Sequence, residues 1–132
     1  MSYLLDTNVC IYYLNGDDRG LVERILALGP EALAISTLSL AELHFGAARS
    51  ARPEANRERI AVFVGELPTL GFDDTCAEHF GRIKARLADL GQLIPDFDIA
   101  IAATAFAHGR VLVSNDEHMR RIPGLPLEDW IA

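Results

Sequence analysis

The sequence predicts an α/β fold with a short parallel sheet flanked by helices on both faces. Three observations carry this. Short apolar runs of strand length alternate with stretches of helical periodicity. The connections are too long for hairpins, so neighbouring strands are expected to be parallel and covered on both faces. Half of the 132 residues are apolar, without repeat or linker, which suits one core and one domain over residues 1–132.

The first strand is expected in SYLLD, residues 2–6, followed by helical spacing at Val9, Tyr12 and Tyr13 and then at Leu21, Ile25 and Leu28. ALAIS at 32–36 is the second strand. Its helix carries Leu40, Leu43 and Ala47, with Thr37 or Ser39 as the cap. Pro53 opens a helix marked by Ile60, Phe63 and Val64. A brief TLGF strand at 69–72 precedes a long helix with Cys76, Phe80, Ile83 and Leu87, which ends near Gly91. Ile99, Ala102, Ala103 and Phe106 mark the next helix, closed by His108-Gly109. RVLVS at 110–114 is the fourth strand, and PLED near the C-terminus is a short fifth.

The formal charge of −7, from 12 basic and 19 acidic residues, excludes a broad basic surface for nucleic acid. A phosphate-bearing partner must be met by a local arrangement. Cys10 and Cys76 form neither a CxxC pair nor a disulfide framework, which points to a reducing compartment. No signal-peptide pattern opens the chain, and the longest apolar run, IAIAATAFA, is about half of a membrane span. A soluble cytoplasmic protein without membrane association is expected.

In open α/β sheets, ligands bind beyond the carboxyl ends of the strands. Four acids fall at such places. Asp6 ends the first strand, Glu42 lies in the first turns after the second, Asp98 starts the apolar helix in PDFDIAIAA, and Asp116 follows the fourth strand. Each also has an ordinary role: Asp6, Asp98 and Asp116 as helix caps, Glu42 as a solvated helix position. Gathered in one cleft, they would repel one another and either hold their protons more tightly or recruit a cation. Oxygen donors suit Mg²⁺ or Mn²⁺, and two such ions about 3.5 to 4 Å apart can activate water and stabilise a leaving oxygen.

Other chemistries fit less well. A haloacid dehalogenase-type phosphatase needs a second Asp where Asn8 stands. A receiver domain needs a lysine after a late strand, but the sole lysine, Lys84, lies mid-helix. No glycine-rich turn follows the first strand, as a dinucleotide site would require. The histidines, His44, His79, His108 and His118, show no zinc-ligand spacing, so no zinc site is expected.

The strings LLDTNV at 4–9, SLAEL at 39–43, DIAIAATA at 98–105 and LVSND with RIPGL between 112 and 125 resemble the PIN-domain family. They most resemble its VapC-type toxin ribonucleases of bacterial toxin–antitoxin systems. The ordered set runs from Tyr3 to Trp130. The resemblance implies a Mg²⁺- or Mn²⁺-dependent endoribonuclease, a cognate antitoxin partner, an RNA substrate and a homodimer. It carries the three core acids onto Asp6, Glu42 and Asp98 and the variable fourth onto Asp116, as metal ligands and catalytic residues. Family members commonly have an acid and then Phe where this chain has His118 and Met119. A PIN nuclease processing RNA or DNA without a toxin role, and an inactive partner-binding module, remain alternatives.

Asp96 is expected to be accessory or capping, and Thr7 and Asn8 to orient Asp6, hold a metal-bound water or cap a helix. Arg49, Arg52, Arg57 and Arg59 are the first basic group to consider for RNA contact, ahead of Arg82, Lys84 and Arg86 and of Arg120 and Arg121. His44 lies on a different helix face from Glu42. Tyr12, Tyr13, Phe45 and Phe63 are expected in the core or at a subunit contact. The mean hydropathy of +0.16 suggests exposed apolar surface for a partner.

Overall fold

A computed structural model describes residues 1–131. Its elements alternate along the chain: β1 (Tyr3–Leu5), α1 (Thr7–Asn15), α2 (Arg19–Leu28), β2 (Leu33–Ser36), α3 (Thr37–Ala48) and α4 (Pro53–Gly65). They continue with β3 (Thr69–Leu70), α5 (Asp74–Asp89), α6 (Asp96–Ala107), β4 (Val111–Val113), α7 (Glu117–Arg120) and β5 (Leu127–Glu128). The strands form one sheet in the order β3-β2-β1-β4-β5, parallel throughout. β1 is central, with Leu4 in register with Ala34 on one side and Leu112 on the other.

The five expected strands are present but shorter than the apolar runs. Asp6 lies outside the paired strand although its backbone N–H still reaches Val113 O at 2.9 Å. The four-residue α7 has too few residues to show a period, and Asp116, one of the possible helix caps, is its N-cap. Ser36, rather than Thr37 or Ser39, caps α3: its Oγ accepts from Ser39 N at 3.0 Å. The helix starts directly at the strand end, so the last strand residue is also the cap.

Side-chain alternation along the strands divides the interior into two halves, where the composition alone suggested one core. Tyr3, Leu5, Leu33, Ile35 and Val113 face α1 to α4, with Leu21, Ile25, Leu43, Ile60 and Phe63 packed against them. Leu4, Ala34 and Leu112 face the other way, against Ile83, Leu87, Ile99, Ile101 and Met119. A sheet buried on both faces must separate its apolar contacts this way. Tyr12 and Tyr13 are half-buried against the first half, Phe63 is buried and Phe45 is exposed. No helix among the described residues is long and apolar enough to cross a membrane.

α5 and α6 pack as an antiparallel pair. Lys84 late in α5 meets Asp96 at the start of α6, at 3.0 Å, while His79 stacks on Phe106 near its end. α6 is buried continuously from Ile99 to Ala105, and its alanines let it lie close to its neighbours. The hydroxyl of Thr104 inside it is satisfied by Ala100 O at 2.8 Å. Gly109, at φ 61°, takes the left-handed turn that leads from α6 into β4.

This topology positions the acids. Helices that follow β1, β2 and β4 begin at the carboxyl edge of the sheet, and α6, which runs back to the start of β4, must begin at that edge as well. Leu4, fully buried on the central strand, tests the frame: Leu4→Ala should lower the unfolding free energy by about 2–5 kcal/mol in urea melts.

Candidate active site

Asp6 is the most enclosed of the acids, 4% exposed at the end of the central strand. Its Oδ1 accepts from Thr7 N at 2.8 Å, capping α1, and its Oδ2 accepts from Ser114 Oγ at 2.6 Å. Burial raises its pKa from the usual 3.8 to about 6, against the lowering effect of these two hydrogen bonds; the charges of Asp98 and Asp116 add to the rise. Asp6 is therefore near enough to both acids to feel their charge.

Asp98, the third residue of α6, makes a hydrogen bond of 3.0 Å from Oδ2 to His118 Nδ1. Desolvation raises its pKa, the His118 hydrogen bond opposes that, and the Asp116 charge adds to it. Asp116 caps α7, accepting from His118 N at 2.9 Å, and its Oδ1 lies 3.6 Å from His118 Nδ1. An imidazole nitrogen between two carboxylates carries the proton. Ligand atoms of Asp98, Asp116 and His118 all lie within 4.8 Å of one another, a separation that one cation can span.

Ser114 ties this group to Asp6. Its hydroxyl donates to Asp6 and accepts from Asp116 N at 3.1 Å. Thr7 makes the link to Glu42: its Oγ1 donates to Glu42 Oε1 at 2.6 Å and lies 3.0 Å from Ser39 Oγ, itself 3.3 Å from Ser36 Oγ. Since the carboxylate can only accept, the three hydroxyls form a relay that ends on Glu42. Glu42 is thus joined to Asp6 through one residue, Thr7, whose N–H holds one acid and whose hydroxyl holds the other. Neither Asp6 nor Glu42 is within the compact group formed by Asp98, Asp116 and His118.

Among the described residues, no arginine or lysine forms an ion pair with Asp6, Glu42, Asp98 or Asp116. Asp96 pairs with Lys84 and is exposed, so it belongs to the α5–α6 contact and not to the cleft. Asn8 and Glu42 line a groove with Ile11, Phe45 and Phe97, while Arg59 and Asn56 line an adjoining one that also contains Glu42. Arg59 is held there by a hydrogen bond to Leu14 O. His44 is exposed and outside the acid group.

The sequence reading passed over Ser114 and gave His118 no role. Ser114 is a lone polar residue closing an apolar run, a weak signal; His118 stood where the resembled family has an acid, a stronger one.

The PIN domain family model matches residues 3–125. The chain belongs to the PIN domain family. Ribonuclease VapC2 of Rickettsia felis is 33% identical over 132 residues, covering 98% of both chains. The tRNA(fMet)-specific endonuclease VapC of Salmonella typhimurium is 36% identical over 131 residues, again covering 98% of each. The structure of DNA-bound VapBC from Salmonella typhimurium superposes with a TM-score of 0.92 at 36% identity and 98% coverage of both chains. At that coverage the PIN domain matches its relatives from end to end, and the parallel sheet expected from the sequence is the family's architecture.

Folding raises the Asp6 pKa, so between 3.8 and about 6 the folded chain keeps a proton that the unfolded chain has released. This group's contribution to stability consequently falls as pH rises through that window and is level above it. In metal-free protein, Asp6→Asn should melt higher than wild type at pH 7, by up to about 3 kcal/mol. The gap should close as pH falls from 6 to 4, as followed by circular dichroism.

Proposed function

We propose that this PIN domain is a metal-dependent endoribonuclease and the toxin of a toxin–antitoxin pair. The observation that carries the reading is a group of carboxylates, Asp6 near Asp98 and Asp116 with Glu42 alongside, that no arginine or lysine among the described residues pairs with. The end-to-end match to VapC ribonucleases supports RNA as the substrate, and the VapBC complexes among its structural neighbours support an antitoxin partner.

The residues fit a hard divalent ion. Carboxylate oxygens predominate, burial and to a lesser degree their mutual charge raise the pKa of Asp6 and Asp98, and a cation relieves that cost. Asp6, Glu42, Asp98 and Asp116 would hold Mg²⁺, or Mn²⁺, which when bound supplies Lewis acidity toward a phosphodiester and a water acidic enough to attack it. The chain's own part is positioning. Ser114 and Thr7 fix the acids of the central strand and α3, and His118 fixes Asp98 on α6. Arg59 and Asn56 border Glu42, where a substrate backbone needs donors. Hydrolysis by water leaves a 5′-phosphate and a 3′-hydroxyl.

Exposed apolar side chains beside the cleft, Phe45 at 68% and Phe97 at 45%, support a protein partner that covers the groove they flank. A homodimer and a cytoplasmic setting complete the reading.

Purified protein should cleave RNA with Mg²⁺ or Mn²⁺, and EDTA should abolish cleavage. Folded Asp98→Asn should lose at least about a hundredfold in rate, as expected when a ligand group is removed. EDTA-resistant cleavage, or cyclic phosphate ends, would overturn the metal assignment. Induction in cells should arrest growth, and a co-encoded antitoxin should reverse it; cleavage without arrest would favour RNA processing.

His118→Ala should weaken Mn²⁺ binding by about 10–100-fold while leaving the fold intact, as loss of a partner that orients a ligand does. Calorimetric titration with Mn²⁺ measures this without reference to activity.

A further inference from the structure

At the other end of α6 from Asp98, a second group of metal-binding side chains converges. Asp73 caps α5 with Oδ1 accepting from Cys76 N at 3.0 Å, and His108 caps the end of α6. Ligand atoms of Asp73, Cys76 and His108 all lie within 4.8 Å of one another. We infer that these three side chains form a binding site for a thiophilic divalent transition metal such as Zn²⁺ or Co²⁺, separate from the nuclease cleft. The inference rests on no part of the nuclease reading.

The donor set decides the class of ion. One sulfur, one imidazole nitrogen and one carboxylate oxygen select zinc-like metals over Mg²⁺, and three protein ligands leave a fourth position for water. The four acids of the nuclease cleft, by contrast, offer oxygen donors. Geometry allows the site to close: metal–ligand bonds of about 2.0–2.3 Å place tetrahedral donors roughly 3.5 Å apart, about 1 Å nearer than the outer limit of the present spacing. Cys76 is buried and fixed in α5, whereas Asp73 and His108 are exposed and supply both the movement and the entry path. The carboxylate has lone pairs beyond the one that caps the helix.

Burial pushes the Cys76 thiol above its usual pKa, so binding must displace its proton. The S–H bond breaks, the sulfur pair forms the bond to the metal, and the proton passes to solvent. The thiol's contact with Gly71 O, 3.7 Å long, is weak and is given up at small cost. The bound ion would clamp the start of α5 to the end of α6. Sequence spacing argued against zinc because the imidazole comes from a different helix; antiparallel packing of α5 and α6 supplies it.

Titration of the reduced full-length chain with Co²⁺ tests the site. Wild type should develop a sulfur-to-cobalt charge-transfer band in the near ultraviolet that saturates at one ion per chain, is displaced by Zn²⁺ and is untouched by Mg²⁺. Cys76→Ser should abolish the band. His108→Ala, at an exposed position, should weaken binding by more than the roughly tenfold that loss of an outer-shell partner costs. Absence of the band in wild type would overturn the site, as would its persistence in Cys76→Ser, which would assign it to Cys10. Unchanged affinity in both His108→Ala and Asp73→Asn would overturn it too.

Discussion

The desolvated carboxyl of Asp6 is the constraint around which the rest of this edge is built. β1 is central in the sheet, with β2 and β4 on either side, so a side chain at its carboxyl end has little contact with water. An acid there is destabilising by itself, and the charges of two further acids add to the cost. A chain selected for stability alone would place an apolar residue at this point. On the proposed reading the arrangement is a place for positive charge brought from outside the protein, which would also reconcile a chain of net charge −7 with a polyanionic substrate.

The ordinary and the functional readings of these acids prove compatible. Asp6 and Asp116 do cap helices, and capping is how their carboxylates are aimed: one oxygen is fixed by a backbone N–H at the first turn, so the group cannot swing away from the edge. Asp98 is different. It lies within α6 and caps nothing, so its orientation depends on His118 reaching across from α7. The parallel topology supplies the coincidence of place, since every helix start involved belongs to one edge of the sheet.

Much of this was legible in the sequence. The strands are unbroken apolar runs bounded by polar residues, and the helices long enough to show a period were evident from it. Residues beyond the strict ladder, such as Ser2 and Asp6, blurred only the boundaries. What escaped was the short-range polar wiring. α7 spans four residues and carries no periodicity. The links Thr7–Glu42 and Ser114–Asp6 join residues far apart in sequence, through hydroxyls of a kind common at strand ends and helix starts. The convergence of Cys76 with His108 depends on helix packing that no ligand spacing encodes. Topology follows from pattern, whereas contacts between single side chains follow from packing.

The choice of donors in the cleft carries one more consequence. Asp6 is held by a backbone amide and a serine hydroxyl, and Glu42 by a threonine hydroxyl backed by two serines. A neutral donor fixes a carboxylate by one directed hydrogen bond and leaves its charge largely intact. An arginine in the same place would fix it more tightly, but would also cancel the field that would draw in the proposed cation and occupy the lone pairs that would ligate it. His118 meets Asp98 through a single ring nitrogen, so this carboxylate too is fixed by one directed hydrogen bond. The cleft is therefore rigid and still negative, and the arginines stand outside it, where Arg59 borders Glu42 without an ion pair to it. That separation of rigidity from neutralisation explains why the polar network is built from hydroxyls in a chain that is otherwise rich in arginine.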